Sequence, residues 1–265
     1  MIETAAYAEA KPIAQLENVR LIYHEPHAET AAVEGVTCTV SKGEFVAIVG
    51  PSGCGKTSIL SMLAGIVQPS EGSVSVLGSA PDAKANRIGY MLQRDQLLDW
   101  RTIEGNVLLG LEVKRLLTPE TRAYAVELLN RYGLGSFRTH YPHQLSGGMR
   151  QKAALIRTLA FSPELLLLDE PFSALDYQTR LLLADEVHSI IKRGGYTAVL
   201  VTHDISEAIS MSDRVLILSG RPASIRLEVP VRLSGETPLN RRNDPDFKDY
   251  FDIVWKEMAK NEQYS

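Results

Sequence analysis

One short segment restricts the possible folds of this chain more than any other feature. Residues 50–57 read Gly-Pro-Ser-Gly-Cys-Gly-Lys-Thr and match the pattern G-x-x-x-x-G-K-[S/T] without a mismatch. The preceding residues 45–49 are all apolar, which predicts a strand covered on both faces, and residues 56–64 have the pattern of a helix. Between a strand and a helix, such a loop can surround phosphate oxygens with backbone N–H groups. The segment therefore predicts an α/β fold with a phosphate-binding loop.

A second glycine-rich segment, residues 145–149, reads Leu-Ser-Gly-Gly-Met. Ser146 is a favourable N-cap, and Leu155, Ile156 and Leu159 share one face of the helix that it would open. The first N–H groups of a helix have no partner within the helix, so this segment predicts a second phosphate-binding site. Two such sites far apart in one chain indicate that two chains share each nucleotide.

Two carboxylates follow the apolar run of residues 165–168. This run predicts a buried strand, and ligands bind at the carboxyl ends of the strands in an open α/β sheet. Asp169 could hold Mg²⁺ through water, and Glu170 could polarise the water that attacks a γ-phosphate. Acidic residues also end strands as solvated turn residues, and the pair alone fits both interpretations equally. The upstream phosphate loop favours the functional one.

Five single residues are further candidates for this site. Lys56 would place a positive charge on the β- and γ-phosphates, and the Thr57 hydroxyl would bind magnesium. Gln93 follows a strand-like run and could reach magnesium or the attacking water, although alone it fits a surface amide. His203 could bind the γ-phosphate or be an ordinary polar residue at a strand end. Tyr23 could stack on adenine or serve packing.

Composition excludes several classes of function. A formal net charge of -4 gives no hint of the basic face that nucleic acid requires, so no nucleic-acid partner is expected. No apolar run approaches the ~18 residues needed to span a bilayer. Residues 1–12 lack the basic start and apolar stretch of a signal peptide and are expected to form a disordered tail. Cys38 and Cys54 fit a reducing compartment. Cys54 could sense redox state, but a small loop residue is the simpler interpretation.

The remaining pattern predicts one compact unit with a helical lobe. Residues 36–40 alternate apolar and polar side chains, as in a half-buried antiparallel strand. Thr118 and Pro119 predict the start of a helix within an insertion between two halves of the core. The apolar stripe of this helix is expected at Val126, Leu129 and Tyr132.

A last amphipathic helix is predicted to begin at Asp244 and Pro245. Its apolar stripe, expected to pack in the core, consists of Phe247, Phe251, Val254, Trp255 and Met258. The expected divisions of the chain are a nucleotide-binding domain at 13–230, which includes a helical subdomain at about 97–160, and a C-terminal extension at 231–265.

Taken in order, these segments resemble the motifs of the ATP-binding subunit of an ABC transporter. The likeness extends from about Leu16 to Leu218. Its motifs are the aromatic Tyr23, the phosphate loop at 50–57, the glutamine Gln93, the signature at 145–149, the acidic pair Asp169 and Glu170, the loop at 173–176 and the switch histidine His203. The amino-acid sequences of residues 93–102 (QRDQLLDWRT) and 141–152 (YPHQLSGGMRQK) resemble those of nitrate-, sulfonate- and taurine-type importers.

The resemblance implies a P-loop NTPase core with an antiparallel β subdomain and a helical signature-motif subdomain, with ATP and Mg²⁺ as ligands. The implied nucleotide-binding residues are Tyr23, Gly50, Pro51, Ser52, Gly53, Cys54, Gly55, Lys56, Thr57, Ser58, Ser146, Gly147, Gly148 and Asp176. The implied catalytic residues are Glu170, His203 and Gln93, and the implied magnesium ligands are Thr57, Gln93 and Asp169. Met149 stands where the family usually has glutamine. Activity is nevertheless expected, because the signature serine and backbone make the main phosphate contacts.

The resemblance also implies partners and a location. Two copies of the chain would form a head-to-tail homodimer around two ATP molecules, at the cytoplasmic face of the membrane. Separate transmembrane permease subunits would carry a small, anionic solute inward, and an extracytoplasmic solute-binding protein would deliver it. Leu97, Leu98 and Trp100, flanked by charged residues, are expected to form an exposed apolar patch on which a permease subunit docks.

Two alternatives remain at this point. A non-transport ABC ATPase would carry a long coiled-coil insertion or a second fused cassette, which this chain lacks. A P-loop small-molecule kinase would have no use for the signature at residues 145–149 or for a switch histidine at His203. Phosphate release without an acceptor separates an ATPase from a kinase.

Overall fold

The computed structural model describes residues 12–25, 28–82 and 87–262 of the chain. Its strands are β1 (Pro12–Glu25), β2 (Ala28–Ser41), β3 (Phe45–Val49), β4 (Glu71–Val76), β5 (Ile88–Met91), β6 (Leu165–Asp169), β7 (Thr197–Val201), β8 (Arg214–Leu218) and β9 (Ile225–Pro230). Its helices are α1 (Lys56–Leu63), α2 (Ile103–Val113), α3 (Pro119–Arg131), α4 (Gly147–Leu159), α5 (Tyr177–Gly194), α6 (Ile205–Met211), α7 (Pro238–Arg241) and α8 (Phe247–Glu262). The predicted tail lies outside the described residues except for Pro12, which begins β1.

Six strands form a central sheet in the order β5-β6-β7-β3-β8-β9. Neighbouring strands from β5 to β8 are parallel, and β9 runs antiparallel to β8. β3, β6 and β7 are buried along their whole length, as their continuous apolar runs predict for parallel strands covered on both faces. The parallel arrangement brings the residues that follow β3, β5, β6 and β7 to one edge of the sheet.

A second, antiparallel sheet has the order β2-β1-β4. In β2, Val36, Cys38 and Val40 are buried and Thr37 and Thr39 are exposed, which confirms the predicted alternation. The buried face of this sheet shares a core with α1 and with one face of the central sheet. The antiparallel β subdomain is therefore packed directly behind the phosphate loop and its helix.

Helices α2, α3 and α4 form the helical lobe, with short 3-10 turns at Gly135–Phe137 and Pro142–Gln144 between α3 and α4. Thr118 caps α3 as predicted, by accepting a hydrogen bond from the Thr121 N–H at 3.3 Å. The predicted stripe of α3 was wrong in part. The fully buried residues are Ala125, Leu128 and Leu129, whereas Val126 and Tyr132 are only half-buried. The contacts of α3 with both α2 and α4 rotate its buried face by one residue.

The last helix differs from its prediction in two ways. It begins at Phe247, because the Asp244 carboxylate accepts hydrogen bonds from the Ser234 and Asp246 N–H groups and holds a turn there. Val254 is fully buried, but Trp255 is 58% exposed and stacks on Phe251 with 6.2 Å between ring centroids. Only part of the predicted stripe therefore packs in the core.

No helix in the described part of the chain is both long enough and apolar enough to cross a membrane.

Candidate functional site

The phosphate loop joins the end of β3 to the start of α1. Gly53 and Gly55 have φ angles of 72° and 126°, which side chains rarely tolerate. A Cβ atom at Gly55 would lie 2.5 Å from the Ala32 carbonyl oxygen, so only glycine fits there. The Lys56 ammonium is buried and donates hydrogen bonds to the carbonyls of Gly50 and Pro51, both at 2.8 Å. The loop thus surrounds a fixed positive charge.

Cys54 lies inside this loop with 1% of its surface exposed. Burial raises the pKa of its thiol, although the Lys56 charge and backbone hydrogen bonds oppose the shift. A buried, protonated thiol is a poor nucleophile and a poor redox sensor. The structure therefore favours the simpler interpretation of Cys54 as a small loop residue.

An oxygen-rich pair lies beside the loop, where α1 meets the end of β6. The Thr57 hydroxyl donates to the Asp169 carboxylate at 3.3 Å. Burial raises the pKa of Asp169, and Glu170 adds to the shift, while the Thr57 hydrogen bond opposes it. A hydroxyl and a carboxylate are the hard oxygen donors that Mg²⁺ prefers. Within the described residues, no group of three or more His, Cys, Asp and Glu side chains could hold a metal ion.

Sequence reasoning missed Tyr90, which neighbours this pair. Burial and the nearby Asp169 carboxylate raise the pKa of Tyr90 to about 12, so its phenol stays neutral. Its position on β5, next to β6 in the sheet, is what brings it there. Nothing in the sequence indicates that Tyr90 lies near Asp169, because the whole helical lobe separates β5 from β6 in the chain.

The three predicted catalytic residues meet at one carboxylate oxygen. Oε2 of Glu170 lies 3.3 Å from Nε2 of Gln93 and 3.2 Å from Nδ1 of His203. Gln93 follows β5, Glu170 follows β6 and His203 follows β7, so parallel neighbouring strands position all three. Gln93 also donates to the Ser173 hydroxyl at 3.3 Å. A carboxylate between an amide and an imidazole can accept a proton from water and be held in place while doing so.

The Glu170 backbone has φ = 44°, which costs a non-glycine residue of order 1–3 kcal/mol. Its N–H donates to the Val201 carbonyl at 2.8 Å, and this bond to the end of β7 holds the conformation. A local signal exists in the sequence, because Pro171 disfavours the right-handed helical region for the residue before it. In this conformation the carboxylate contacts Gln93 and His203.

The signature segment opens α4. The Ser146 hydroxyl accepts the Met149 N–H at 3.3 Å and caps the helix, as predicted. A Cβ atom at Gly148 would lie 2.9 Å from Cγ2 of Thr179, and one at Gly147 would lie 3.1 Å from Cδ2 of Leu175. Both glycines therefore let α4 pack closely on the start of α5. Among the described residues, no hydrogen bond connects Ser146 with the phosphate loop.

Asp176 and Tyr23 complete the predicted nucleotide contacts. The Asp176 carboxylate caps α5 by accepting the Thr179 N–H at 3.0 Å. Tyr23 lies on β1 and is 37% exposed, with its hydroxyl 3.2 Å from the Ser58 hydroxyl on α1. This hydroxyl contact places the aromatic ring next to the helix that follows the phosphate loop.

The predicted apolar patch after Gln93 is smaller than expected. Trp100 is 75% exposed, but Leu97 is only 9% exposed and belongs to the core of the helical lobe, and Leu98 is half-buried. Leu97 packs inward because its neighbours are the apolar faces of α2 and α4. The exposed apolar contribution of the loop is therefore mainly the indole of Trp100.

A fully buried asparagine fixes this loop. Nδ2 of Asn106 donates to the carbonyls of Leu98, Arg101 and Thr102 at 3.0–3.1 Å. Its Oδ1 accepts the Leu98 N–H at 2.7 Å. Both the amide nitrogen and the amide oxygen of Asn106 are thus bonded to one loop, the loop that carries Trp100. Sequence reasoning missed it, because an asparagine inside an apolar helix gives no indication of its target.

Comparisons with known proteins agree with this geometry. The family model described as ABC transporter matches residues 33–173. An uncharacterized ABC transporter ATP-binding protein of Bacillus subtilis is 47% identical over 94% of this chain and 96% of its own length. The aliphatic sulfonates import ATP-binding protein SsuB of Bacillus licheniformis is 37% identical over 89% and 91%. The nitrate import ATP-binding protein NrtD of Synechocystis is 34% identical over 91% and 92%.

Solved structures confirm the fold. An ATP-binding cassette in a dimeric post-hydrolysis state, bound to ADP and Pi, superposes with a TM-score of 0.70 at 30% identity. The match covers 83% of this chain and 99% of that one. Both the family and the fold inferred from the motifs are confirmed. The chain belongs to the ABC transporter family, as one of its ATP-binding, ATP-hydrolysing subunits.

Proposed function

We propose that this chain powers the import of a small anionic solute. The relatives named for import of aliphatic sulfonates and nitrate support the direction of transport and the class of solute. The observation that carries ATP hydrolysis is the convergence of Gln93 and His203 on one oxygen of Glu170, beside the phosphate loop.

In this proposal each residue has a defined task. The loop from Gly50 to Ser58 and its Lys56 ammonium bind the phosphates, and Tyr23 stacks on adenine. Thr57, Asp169 and Gln93 would hold Mg²⁺, which would neutralise charge on the phosphate oxygens. Glu170 accepts a proton from the attacking water, and His203 binds the γ-phosphate.

The active form in this proposal is a head-to-tail homodimer with two shared ATP sites. Ser146, Gly147 and Gly148 begin a helix whose N–H groups suit a phosphate, yet α4 packs on α5 rather than on the phosphate loop of the same chain. These residues and Asp176 would therefore contact the ATP that the second subunit holds. The dimeric cassette bound to ADP and Pi, to which the fold is similar, supports this arrangement.

The transport machinery would lie outside this chain. Transmembrane permease subunits would dock around Trp100 at the cytoplasmic face of the membrane, and an extracytoplasmic solute-binding protein would deliver the solute. Gln93 begins the segment that ends near Trp100, so a change in its contact with Glu170 would reach the permease through the same loop. Nucleotide binding would then shift the permease between its two conformations.

Replacement of Glu170 by glutamine tests the proposed chemistry. The variant keeps the shape of the side chain but removes the proton acceptor, so phosphate release should fall ~10² to 10⁴-fold. ATP binding should persist, and the closed dimer should accumulate. The assay contains ATP and no acceptor, which also separates hydrolysis from the kinase alternative.

Glu164→Gln is a matched control. Glu164 is a surface carboxylate paired with Arg87, and its loss should leave hydrolysis unchanged. Hydrolysis by Glu170→Gln at nearly the parent rate would show that another group accepts the proton.

A further inference from the structure

Arg180 lies near the start of α5, between two loops that have separate tasks in the proposed function. One loop is residues 173–176, and the other contains His203. Nη2 of Arg180 donates to the Leu175 carbonyl at 3.2 Å. Nη1 of the same guanidinium lies 3.5 Å from Oδ2 of Asp204, the residue after His203. One side chain therefore connects the two loops.

Asp204, at one end of this bridge, is fixed by contacts of its own. Its Oδ1 caps α6 by accepting the Glu207 N–H at 3.0 Å, and its backbone N–H donates to the Thr202 hydroxyl at 3.1 Å. Its second carboxylate oxygen faces Arg180. The turn from Thr202 to Asp204, with His203 at its centre, is therefore held from α5 through the Arg180 guanidinium.

Leu175, at the other end, belongs to a loop with two further anchors. In this loop the N–H and the hydroxyl of Ser173 donate to the Glu170 carbonyl at 3.2 Å and 3.1 Å. The Leu175 side chain lies against the signature, where a Cβ atom at Gly147 would be 3.1 Å from its Cδ2. Arg180 thus connects the His203 turn to a loop that is anchored on Glu170 and packed on the signature.

The charges around Arg180 show which acid it pairs with at neutral pH. Its charge also acts on Glu207, but burial, with a smaller effect of the Asp204 carboxylate, raises the pKa of Glu207 to about 8, so Glu207 is protonated. Asp204 is therefore the carboxylate paired with Arg180. Both side chains of this pair are partly exposed, and such a pair contributes little to the stability of a fold. Its effect is expected on the position of His203 instead.

We propose that Arg180 is a positioning residue of the ATPase site, which holds the His203 ring beside Glu170. The inference rests on the proposed function, in which His203 binds the γ-phosphate. Nδ1 of His203 lies 3.2 Å from Oε2 of Glu170, yet 51% of the His203 side chain is exposed. An imidazole with so much exposed surface depends on its backbone turn for its position, and Arg180 fixes that turn through Asp204.

The same bridge would connect the two ATP sites of the proposed dimer. Asp176, which directly follows Leu175, is proposed to contact the ATP of the second subunit. A movement of this loop when that ATP binds would reach His203 through Arg180.

NMR of the histidine ring nitrogens in the full chain tests the proposal without depending on turnover. The signals of His203 are identified by their loss in His203→Ala, and Glu170→Ala gives the Nδ1 signal of a ring without its carboxylate contact. Arg180→Met keeps the apolar stem but removes every donor, so the Nδ1 signal should move toward its position in Glu170→Ala. Arg193→Met, at an exposed position near the other end of α5, is the matched control and should leave the signal unchanged.

The ATPase reaction gives the second measurement. Arg180→Met should lower kcat ~10- to 100-fold, because the reacting groups are misplaced. KM for ATP should stay within ~2-fold, because the phosphate loop still binds the nucleotide. Arg180→Lys keeps a charge opposite Asp204 and should recover part of kcat.

Asp204→Asn breaks the same pair from its other side. Asparagine still caps α6, so this variant should show both the displaced His203 signal and the loss of kcat, and it decides the test if Arg180→Met does not fold. The inference is overturned, and the proposed function stands, if His203→Ala lowers kcat but either the His203 signal or kcat is unchanged in Arg180→Met and Asp204→Asn. Wild-type kcat in His203→Ala would instead contradict the proposed role of His203, and the inference with it.

Discussion

At the scale of single residues, the site depends on side chains that their neighbours hold in unusual states. Lys56 is buried against two carbonyls, and Glu170 has a left-handed backbone fixed by the end of β7. Neither state is favourable alone. Each is stable because the surrounding strands fix the hydrogen-bond partners, so that the charged groups need little rearrangement when a substrate binds.

Tyr23 provides a test of the adenine contact. Its ring is proposed to stack on the base, so Tyr23→Ala should weaken ATP binding by ~1–3 kcal/mol. Tyr23→Phe should change ATP affinity little, because it keeps the π-face and loses only the contact with Ser58. The affinities can be measured by titration with ATP and the slowly hydrolysing variant Glu170→Gln as background. Equal losses for alanine and phenylalanine would assign the effect to the hydroxyl instead.

Glu207, four residues after His203, makes stability depend on pH. Burial, with a smaller effect of the Asp204 carboxylate, raises its pKa to about 8, against opposing effects of Thr202, Arg180 and Arg242. A carboxyl with a raised pKa in the folded state holds a proton that the unfolded chain has lost. Its contribution to stability is therefore fully present below the unfolded pKa and decreases as pH rises toward about 8.

Glu207→Gln imitates the protonated form at every pH. Its free energy of unfolding, measured with denaturant, should match the wild type at low pH and exceed it above pH 8 by about 2 kcal/mol or more. Asp249→Asn, on the exposed surface of α8, is the control and should show no such divergence. A constant difference between Glu207→Gln and the wild type across this range would mean that Glu207 is ionised in the fold.

At the scale of secondary-structure elements, periodicity predicted most of the fold. The structure has the expected strands at the continuous apolar runs of β3, β6 and β7 and at the alternating pattern of β2. A strand that is buried on both faces is continuously apolar, and one that is buried on one face alternates apolar and polar residues. The caps Thr118 and Ser146 are local and were predicted, whereas Asp176, which also caps a helix, was predicted only as a nucleotide contact.

The sequence did not show which parts of the fold each side chain would pack against. Leu97 and Trp100 lie in the same charged loop, yet one packs into the core and the other is exposed. Val254 and Trp255 are adjacent on α8 and differ in the same way. The meeting of Gln93, Glu170 and His203 was predictable from the motifs, whereas the position of Tyr90 depends on a strand pairing that only the tertiary structure shows.

The loop that carries Trp100 gives the prediction at this scale. If Trp100 contacts a permease subunit, Trp100→Ala should leave the ATPase rate of the isolated chain nearly unchanged and weaken both assembly and transport. Trp255→Ala is the matched control, since the chain has two tryptophans and Trp255 is also exposed. Asn106→Leu should resemble Trp100→Ala in assembly, because it releases the loop. Parallel losses of ATPase and transport in Trp100→Ala would mean that Trp100 supports the ATP site or the fold, and not a contact with a permease.

At the scale of the whole molecule, the signature segment and the phosphate loop are each complete but separate. Ser146 packs with α4 against α5, while Lys56 and Glu170 lie at the edge of the central sheet. Under the proposed function, a single chain would supply one half of each of two sites. In a head-to-tail homodimer, each phosphate loop would face the signature of the other subunit, and both ATP molecules would be enclosed.

Complementation between two inactive variants tests this shared site most directly. Lys56→Ala and Ser146→Arg should each abolish ATP hydrolysis in a homodimer, because each damages both sites. Mixed and allowed to exchange, they form heterodimers in which one site has an intact phosphate loop and an intact signature. The account predicts that phosphate release returns, to about a quarter of the wild-type rate for random pairing of subunits into dimers. No return of activity, with heterodimers demonstrated by differently tagged subunits, would contradict it.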